Sequence, residues 1–271
     1  MNSWTQNPKS NSDTPESLPA TALWRGLSII SLYPAAISPW LDSLLVRPGV
    51  VRIATVNAEF VVRAARSRNF LRSLRSATVC VADGVGMRLL YRASDHWQGR
   101  VTGRAVAAEL LSRSDLPICI LVPTDGLQSA EALETRLRPQ YSSTDIQVVT
   151  WGSRTANELG GNTESLYTIT AQARVVLLTH GAPTQEYLAQ ALQSRTDGVA
   201  QLVVAVGGAL DVLSGALPTP PAVFTALGLE WLYRLIQQPR RLPRIYQSVV
   251  VYPWLVFLGW LGSGGTGEVE E

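Results

Sequence analysis

Lysine is almost absent from this 271-residue sequence: of 23 Lys and Arg residues, only Lys9 is a lysine. A phosphate loop of the Gly-x-x-x-x-Gly-Lys-Ser/Thr type is therefore excluded. Histidine is as scarce. His96 and His180 stand alone, with no Ser/His/Asp spacing that would support a nucleophilic triad. The two cysteines, Cys80 and Cys119, sit in separate apolar runs. They read as buried strand residues and exclude both a disulfide scaffold and a structural zinc cluster. Charged residues make up only 16% of the chain, against roughly 25% in an average protein, which excludes a disordered chain or a charged coiled coil. The net charge of +2 is too small to indicate nucleic acid as a partner. Residues 1–19 are polar, with no basic segment followed by an apolar one, so no secretory leader is expected. Together with the sparse cysteines this suggests a reducing, cytoplasmic compartment.

What is present is apolar and alternating. Hydrophobic residues make up 46% of the sequence. Short β-branched runs at 50–55, 77–82, 116–122, 145–149, 174–179 and 201–206 read as strands. Helical patterns separate them at 58–75, from 86, at 103–113, at 127–137, within 153–173 and at 184–192. Strands that are continuous apolar runs, alternating with helices, predict an α/β fold of Rossmann-like type. Its sheet should be largely parallel and covered by helices on both faces. The expected organisation is a disordered tail over 1–23 and an N-terminal extension over 24–49. The main domain follows over 50–227, then a basic and apolar appendage over 228–261 and a flexible tail over 262–271.

Glycines and acids fall just beyond the strands: Asp83-Gly84, Gly181 and Gly207-Gly208. In open parallel sheets ligands bind at the carboxyl ends of strands, so these positions predict one composite site. Asp83 is the sharpest candidate. At the end of a buried strand its carboxylate can act as a general base, bind a ribose hydroxyl or a metal, or cap the following helix. The segment Asp83-Gly-Val-Gly-Met-Arg88 has Leu89 where a dinucleotide fingerprint needs a third glycine, which argues against a nicotinamide or flavin enzyme. Gly181-Ala-Pro-Thr-Gln-Glu186 places a tight turn before a helix, with Thr184 as the expected cap and Gln185 able to reach a sugar or base. His180, at a strand end beside Gly181, either lines the same cleft or is an ordinary strand-end residue.

The chain ends differently. Arg234, Arg240, Arg241 and Arg244 fall within eleven residues, followed by an uncharged run from 245 to 261 carrying Tyr246, Tyr252, Trp254 and Trp260. Arginines beside an aromatic-rich apolar segment suit a membrane surface, and arginine binds phosphate bidentately. The run is short and contains Pro253, so a true span is disfavoured. An apolar appendage can equally pack on the core or bury itself against a second copy of the chain.

Taken together, several segments resemble a known family: Thr55-Val-Asn57, Ala82-Asp-Gly-Val-Gly86, Arg100-Val-Thr-Gly103 and Gly181-Ala-Pro-Thr-Gln-Glu186. To these are added Gly207-Gly-Ala-Leu-Asp-Val-Leu-Ser-Gly215 and Gly228-Leu-Glu-Trp-Leu-Tyr-Arg-Leu235. Their order and spacing resemble the WecG/TagA/CpsF glycosyltransferases. The resemblance implies inverting transfer of a hexosamine-type sugar, usually N-acetylmannosamine, from a UDP-sugar to a polyprenyl-diphosphate-linked sugar, without a metal or other cofactor. It implies Asp83 as the general base, with Thr55, Asn57 and Arg100 lining the sugar site. Gln185 would correspond to the family's cleft glutamine, and Gly207, Gly208 and Asp211 would shape the nucleotide side. Arg234, Arg241 and Arg244 would belong to a basic appendage that touches the substrate diphosphate and the cytoplasmic face of the membrane.

Some positions depart from the family pattern. Arg104 and Ala105 replace a small or polar residue and an aspartate; Thr184 replaces a lysine; and Thr219-Pro-Pro221 lacks an arginine. These changes alter the charge of the cleft. They leave open a noncatalytic nucleotide-sugar or lipid-linked-sugar binding module as the alternative.

Overall fold

The computed structural model describes residues 19–91, 97–152, 163–195, 201–221, 223–224, 229–239 and 242–262. Its strands are β1 (Ala20–Trp24), β2 (Leu27–Ser31), β3 (Val50–Val56), β4 (Val79–Ala82), β5 (Ile118–Val122), β6 (Ile146–Thr150), β7 (Val175–Leu178) and β8 (Gln201–Ala205). They form one eight-stranded sheet in the order β1-β2-β4-β3-β8-β7-β5-β6. Only the β1–β2 hairpin is antiparallel; all other pairings run parallel. The fold is thus mixed α/β with a largely parallel sheet and flanking helices. The hairpin joins the end of the stretch read as a disordered tail to the stretch read as an extension: residues 20–23 are strand, held by pairing with β2, and β2 pairs with β4 through Ile29 and Ile30.

The helices are α1 (Ile37–Leu45), α2 (Ala58–Arg66), α3 (Arg68–Arg75), α4 (Gly103–Leu111), α5 (Ala130–Leu137), α6 (Thr163–Thr170), α7 (Thr184–Gln193), α8 (Ala209–Leu213) and α9 (Glu230–Gln237). The chain then continues through α10 (Leu242–Tyr246), a π-helical turn (Gln247–Val251) and α11 (Tyr252–Gly262).

The pleat sorts the strand residues onto two faces. Ile53, Val81, Ile120, Leu177 and Val204 meet α1, α4, α5 and α8 in one apolar layer. Ala54, Val56 and Cys80 meet α2 and α3 on the other face, and Cys119, Leu121, Val176 and Val203 meet α6 and α7 there. Each large aliphatic side chain fully buried in these layers stabilises the fold by about 1.5–3 kcal/mol.

The continuous helix expected over 58–75 is two helices. Ser67 takes an extended conformation (φ −128°, ψ 109°), and its hydroxyl accepts the Phe70 N–H, so it caps α3 and interrupts the helical ladder. The helix expected from 86 is a 3-10 helix, Val85–Tyr91. The helix expected at 127–137 begins at Ala130, because Ser129 caps it through Ala132 N.

The helix that leaves β3, α2, lies on one face of the sheet. The crossover helix α4 after β4 and the helix α8 after β8 lie on the other. This divergence opens a crevice beyond the carboxyl end of β3, where ligands bind in open α/β sheets.

Candidate functional site

The carboxyl ends of β4, β3, β8 and β7 are neighbours, and each delivers a residue group that the sequence singled out. Asp83 ends β4. Its backbone N–H donates to Val56 O at 2.8 Å, and its side chain is half-buried. Asn57 ends β3. Its side-chain oxygen accepts the Phe60 N–H at 3.1 Å, so it caps α2 while sitting beside Asp83 at the rim. Gly207 and Gly208 end β8, and Gly207 has φ +52°, a left-handed conformation that glycine adopts without a Cβ penalty. Gly181, at φ +80°, ends β7. With strands about 4.8 Å apart, Asp83 and Gly181 lie about 14 Å apart along the sheet edge, a reach suited to an extended diphosphate ligand.

Thr55 and Gln185 lie deeper than the sequence suggests. Thr55 is 4% exposed and donates its hydroxyl to Ala205 O at 2.9 Å, stitching β3 to β8 under the crevice. Gln185 is 3% exposed. Its Oε1 accepts the Gly181 N–H at 3.0 Å, and its Nε2 donates to Glu186 Oε1 at 3.3 Å. A Cβ built on Gly207 would stand 3.4 Å from Gln185 Oε1, so the two glycine turns close over this carboxamide.

On the opposite wall, Thr102 caps α4 through Ala105 N at 3.0 Å. A Cβ on Gly103 would approach the Val206 backbone to 3.3 Å, so any larger residue would have to push the β8 end back by a few tenths of an ångström. Arg100 and Arg104 are half-buried beside this helix start, and Arg104 Nη1 has no hydrogen-bond partner among the described residues.

Asp211, on α8, accepts from Gln128 Nε2 at 2.9 Å, and the same amide also donates to Ser214 Oγ. Hollows lie on both sides of α8. One is bounded by Gly208, Val212, Pro218 and Tyr233. The other is bounded by Pro123, Gln128, Thr179 and Asp211.

Two expectations change and one, the burial of the cysteines, holds. His180 is 2% exposed, and its Nε2 lies 2.6 Å from Trp151 O, so the ring serves packing rather than the open cleft. Thr184 does not cap α7: the helix starts after Pro183 with no side-chain cap, and Thr184 is its first residue. Burial pushes the Cys80 and Cys119 thiols up to about 12, which leaves neither as a thiolate nucleophile.

The appendage packs on the core through Tyr252, which is fully buried with Ala58, Met87 and Tyr91 and sits 3.8 Å from where a Gly86 Cβ would stand. Arg244 donates from Nε to Glu59 Oε2 at 2.8 Å, so α10 is pinned to the first turn of α2, next to Asn57. The other side of this segment is open: Tyr246, Val249, Val250, Trp254, Phe257 and Leu258 are exposed, with the Trp254 and Phe257 rings stacked at 5.8 Å. Arg241, Arg240 and His96 lie outside the described residues, as does the side chain of Arg234. Among the described residues no His/Cys/Asp/Glu group could hold a metal ion, and no helix is long and apolar enough to cross a membrane.

Sequence reasoning missed Arg52, Glu59 and Gln128. A charge inside the apolar strand Val50–Val56 was the available signal for Arg52. Glu59 and Gln128 carried none, because the partners that tie them to the site, Arg244 and Asp211, are far away in sequence.

A largely parallel sheet with glycine turns and one acid gathered at the carboxyl ends of its central strands defines an α/β protein with a ligand crevice at those ends. The chain belongs to the glycosyl transferase WecG/TagA/CpsF family, whose model matches residues 26–264.

Proposed function

We propose that this glycosyltransferase moves a hexosamine-type sugar, N-acetylmannosamine, from its UDP-linked form to a polyprenyl-diphosphate-linked sugar in cell-surface polysaccharide synthesis. The observation that carries the reading is Asp83, a half-buried acid at the crevice, between the Asn57 rim and the start of the 3-10 helix. Asp83 takes the proton from the acceptor hydroxyl as that oxygen attacks the anomeric carbon. UDP leaves from the opposite face, and the configuration inverts. Asn57 and Arg100 flank the sugar. The Gly181 and Gly207-Gly208 turns, with Asp211, face the nucleotide, while Thr55 and Gln185 support them from below.

The reaction is proposed to run without a metal. Arginines of the wall and the appendage — Arg100, Arg104, Arg234, Arg241 and Arg244 — balance the charge that develops on the departing diphosphate. The exposed ridge around Trp254 is proposed to rest on the cytoplasmic face of the membrane, which keeps the enzyme beside its lipid-linked acceptor.

The test is transfer from a panel of nucleotide sugars to a short-chain diphosphate-linked N-acetylglucosamine acceptor in the presence of EDTA, read by mass spectrometry. The expected result is the mass gain of one sugar, undiminished by EDTA. Absence of product from every donor, beside an active control enzyme, overturns the catalytic reading in favour of a binding module. The membrane proposal has its own measurement. Truncation after Arg244 should remove most co-sedimentation with anionic vesicles; equal sedimentation of both forms rejects the ridge as the anchor.

A further inference from the structure

Arg52 and Glu186 form an ion pair that is wholly removed from water. Arg52 Nη2 meets Glu186 Oε2 at 2.8 Å, and both side chains are 0% exposed. Arg52 projects from the middle of β3, and Glu186 sits in the first turn of α7. The pair is anchored on α3: Arg52 Nη2 donates to Ser73 Oγ and Nη1 to Ser76 Oγ, each at 3.2 Å, while Ser73 Oγ donates to Glu186 O. Surrounding positions on this face are apolar, among them Ala54, Phe70, Val176 and Leu188. Well-packed apolar residues generally serve stability as well as a buried ion pair does, so stability alone does not account for this one.

Its second oxygen points to a purpose. Glu186 Oε1 accepts from Gln185 Nε2, and Gln185 Oε1 accepts from Gly181 N. The carboxamide therefore lies between an acceptor-only carboxylate and a donor-only backbone N–H. Rotated by half a turn, it would set Oε1 against the carboxylate and Nε2 against the N–H, so both contacts would turn repulsive. The Arg52 guanidinium, 2.8 Å from Oε2, favours the ionised, acceptor-only form of Glu186. It also neutralises a carboxylate that would otherwise stand just below the strand ends and repel a diphosphate.

We propose that Arg52 and Glu186 are positioning residues that fix the orientation of the Gln185 carboxamide and, through it, hold the Gly181 and Gly207 turns in the geometry that receives the donor nucleotide. The effect on turnover rests on the sugar-transfer reading above; the effect on the Gln185 carboxamide does not.

Two neutral double variants of the full chain separate positioning from packing. R52M/E186Q retains a side-chain carbonyl to accept from Gln185; R52M/E186L is also uncharged but has no acceptor. The two should melt within a few degrees of each other. In R52M/E186Q the Gln185 side-chain amide resonances and the slow exchange of the Gly181 N–H should stay as in the wild type. In R52M/E186L the Gln185 resonances should move and Gly181 protection should fall, with kcat at least tenfold below that of R52M/E186Q. Wild-type-like Gln185 resonances, Gly181 protection and kcat in R52M/E186L would overturn the proposal and leave the pair a packing feature. If R52M/E186L does not fold, the wild type decides: fast exchange of Gly181 N–H or of the Gln185 amide protons overturns the proposal, and slow exchange of both supports it. If the wild type transfers no sugar at all, the reading of the reaction fails, while the resonance and exchange measurements still judge the positioning role.

Discussion

Asp83→Asn lowers the kcat of sugar transfer by about 100- to 10,000-fold, the range general bases contribute, and leaves nucleotide affinity unchanged. Asparagine keeps the size of the side chain and the backbone bond from Asp83 N to Val56 O, so the crevice keeps its shape. What is lost is a group able to take the proton from the incoming hydroxyl. Steady-state kinetics, with calorimetry of UDP on the same preparation, checks both halves. Unchanged turnover removes Asp83 from the base role. Equal loss of turnover and of nucleotide binding assigns it instead to the donor site.

Arg52→Met alone costs about 3–5 kcal/mol of stability at neutral pH, because it leaves the Glu186 carboxylate buried without its cation. The loss is smaller in mildly acid solution. Burial raises the Glu186 pKa above the ordinary carboxylate range, and Arg52 is the main influence that lowers it. Removing Arg52 lets burial act unopposed and raises it further. The folded protein then holds the Glu186 proton more tightly than the unfolded chain does. The stability this provides is complete below the ordinary carboxylate range and is lost as pH rises through the folded value. Denaturant midpoints of wild type and variant, measured in acid and at neutral pH, should diverge as pH rises. A constant gap across that range would show that Glu186 does not titrate as its burial requires.

The two variants act at different ends of one structure. Asp83 lies on the rim, where a side chain can meet a ligand; Arg52 lies a strand away under the floor. Between them, Asn57 and Thr55 each have a structural partner as well as a place in the site: Asn57 caps α2, and Thr55 ties β3 to β8. These two groups thus hold their positions through hydrogen bonds of their own, which costs little reorganisation when a ligand arrives.

Several parts of this arrangement were readable from residue order. Continuous apolar strands such as 118–122 are buried at every position, as a parallel sheet with two covered faces requires. Placing Asp83, Gly181 and Gly207 just beyond strands predicted that they would share one end of the sheet, because parallel strands bring all their carboxyl ends to the same side. The break at Ser67 was not readable, since a cap inside a helical pattern depends on one residue taking extended dihedrals. The depth of Gln185 was not readable either: a glutamine after a turn looks the same in sequence whether it faces the ligand or the floor.

The sequence by itself determined the alternation of strand and helix, the parallel sheet and the family, through patterns that depend only on neighbours along the chain. The tertiary structure alone decided which charges meet. Arg52 and Glu186 are 134 positions apart, and Arg244 and Glu59 are 185 apart. No local periodicity relates such residues. Their pairing follows from strand order, which sets β3 beside β8 and lays α7 against α3, and from the cost of burying a charge, which leaves each one only the partner that packing brings within reach.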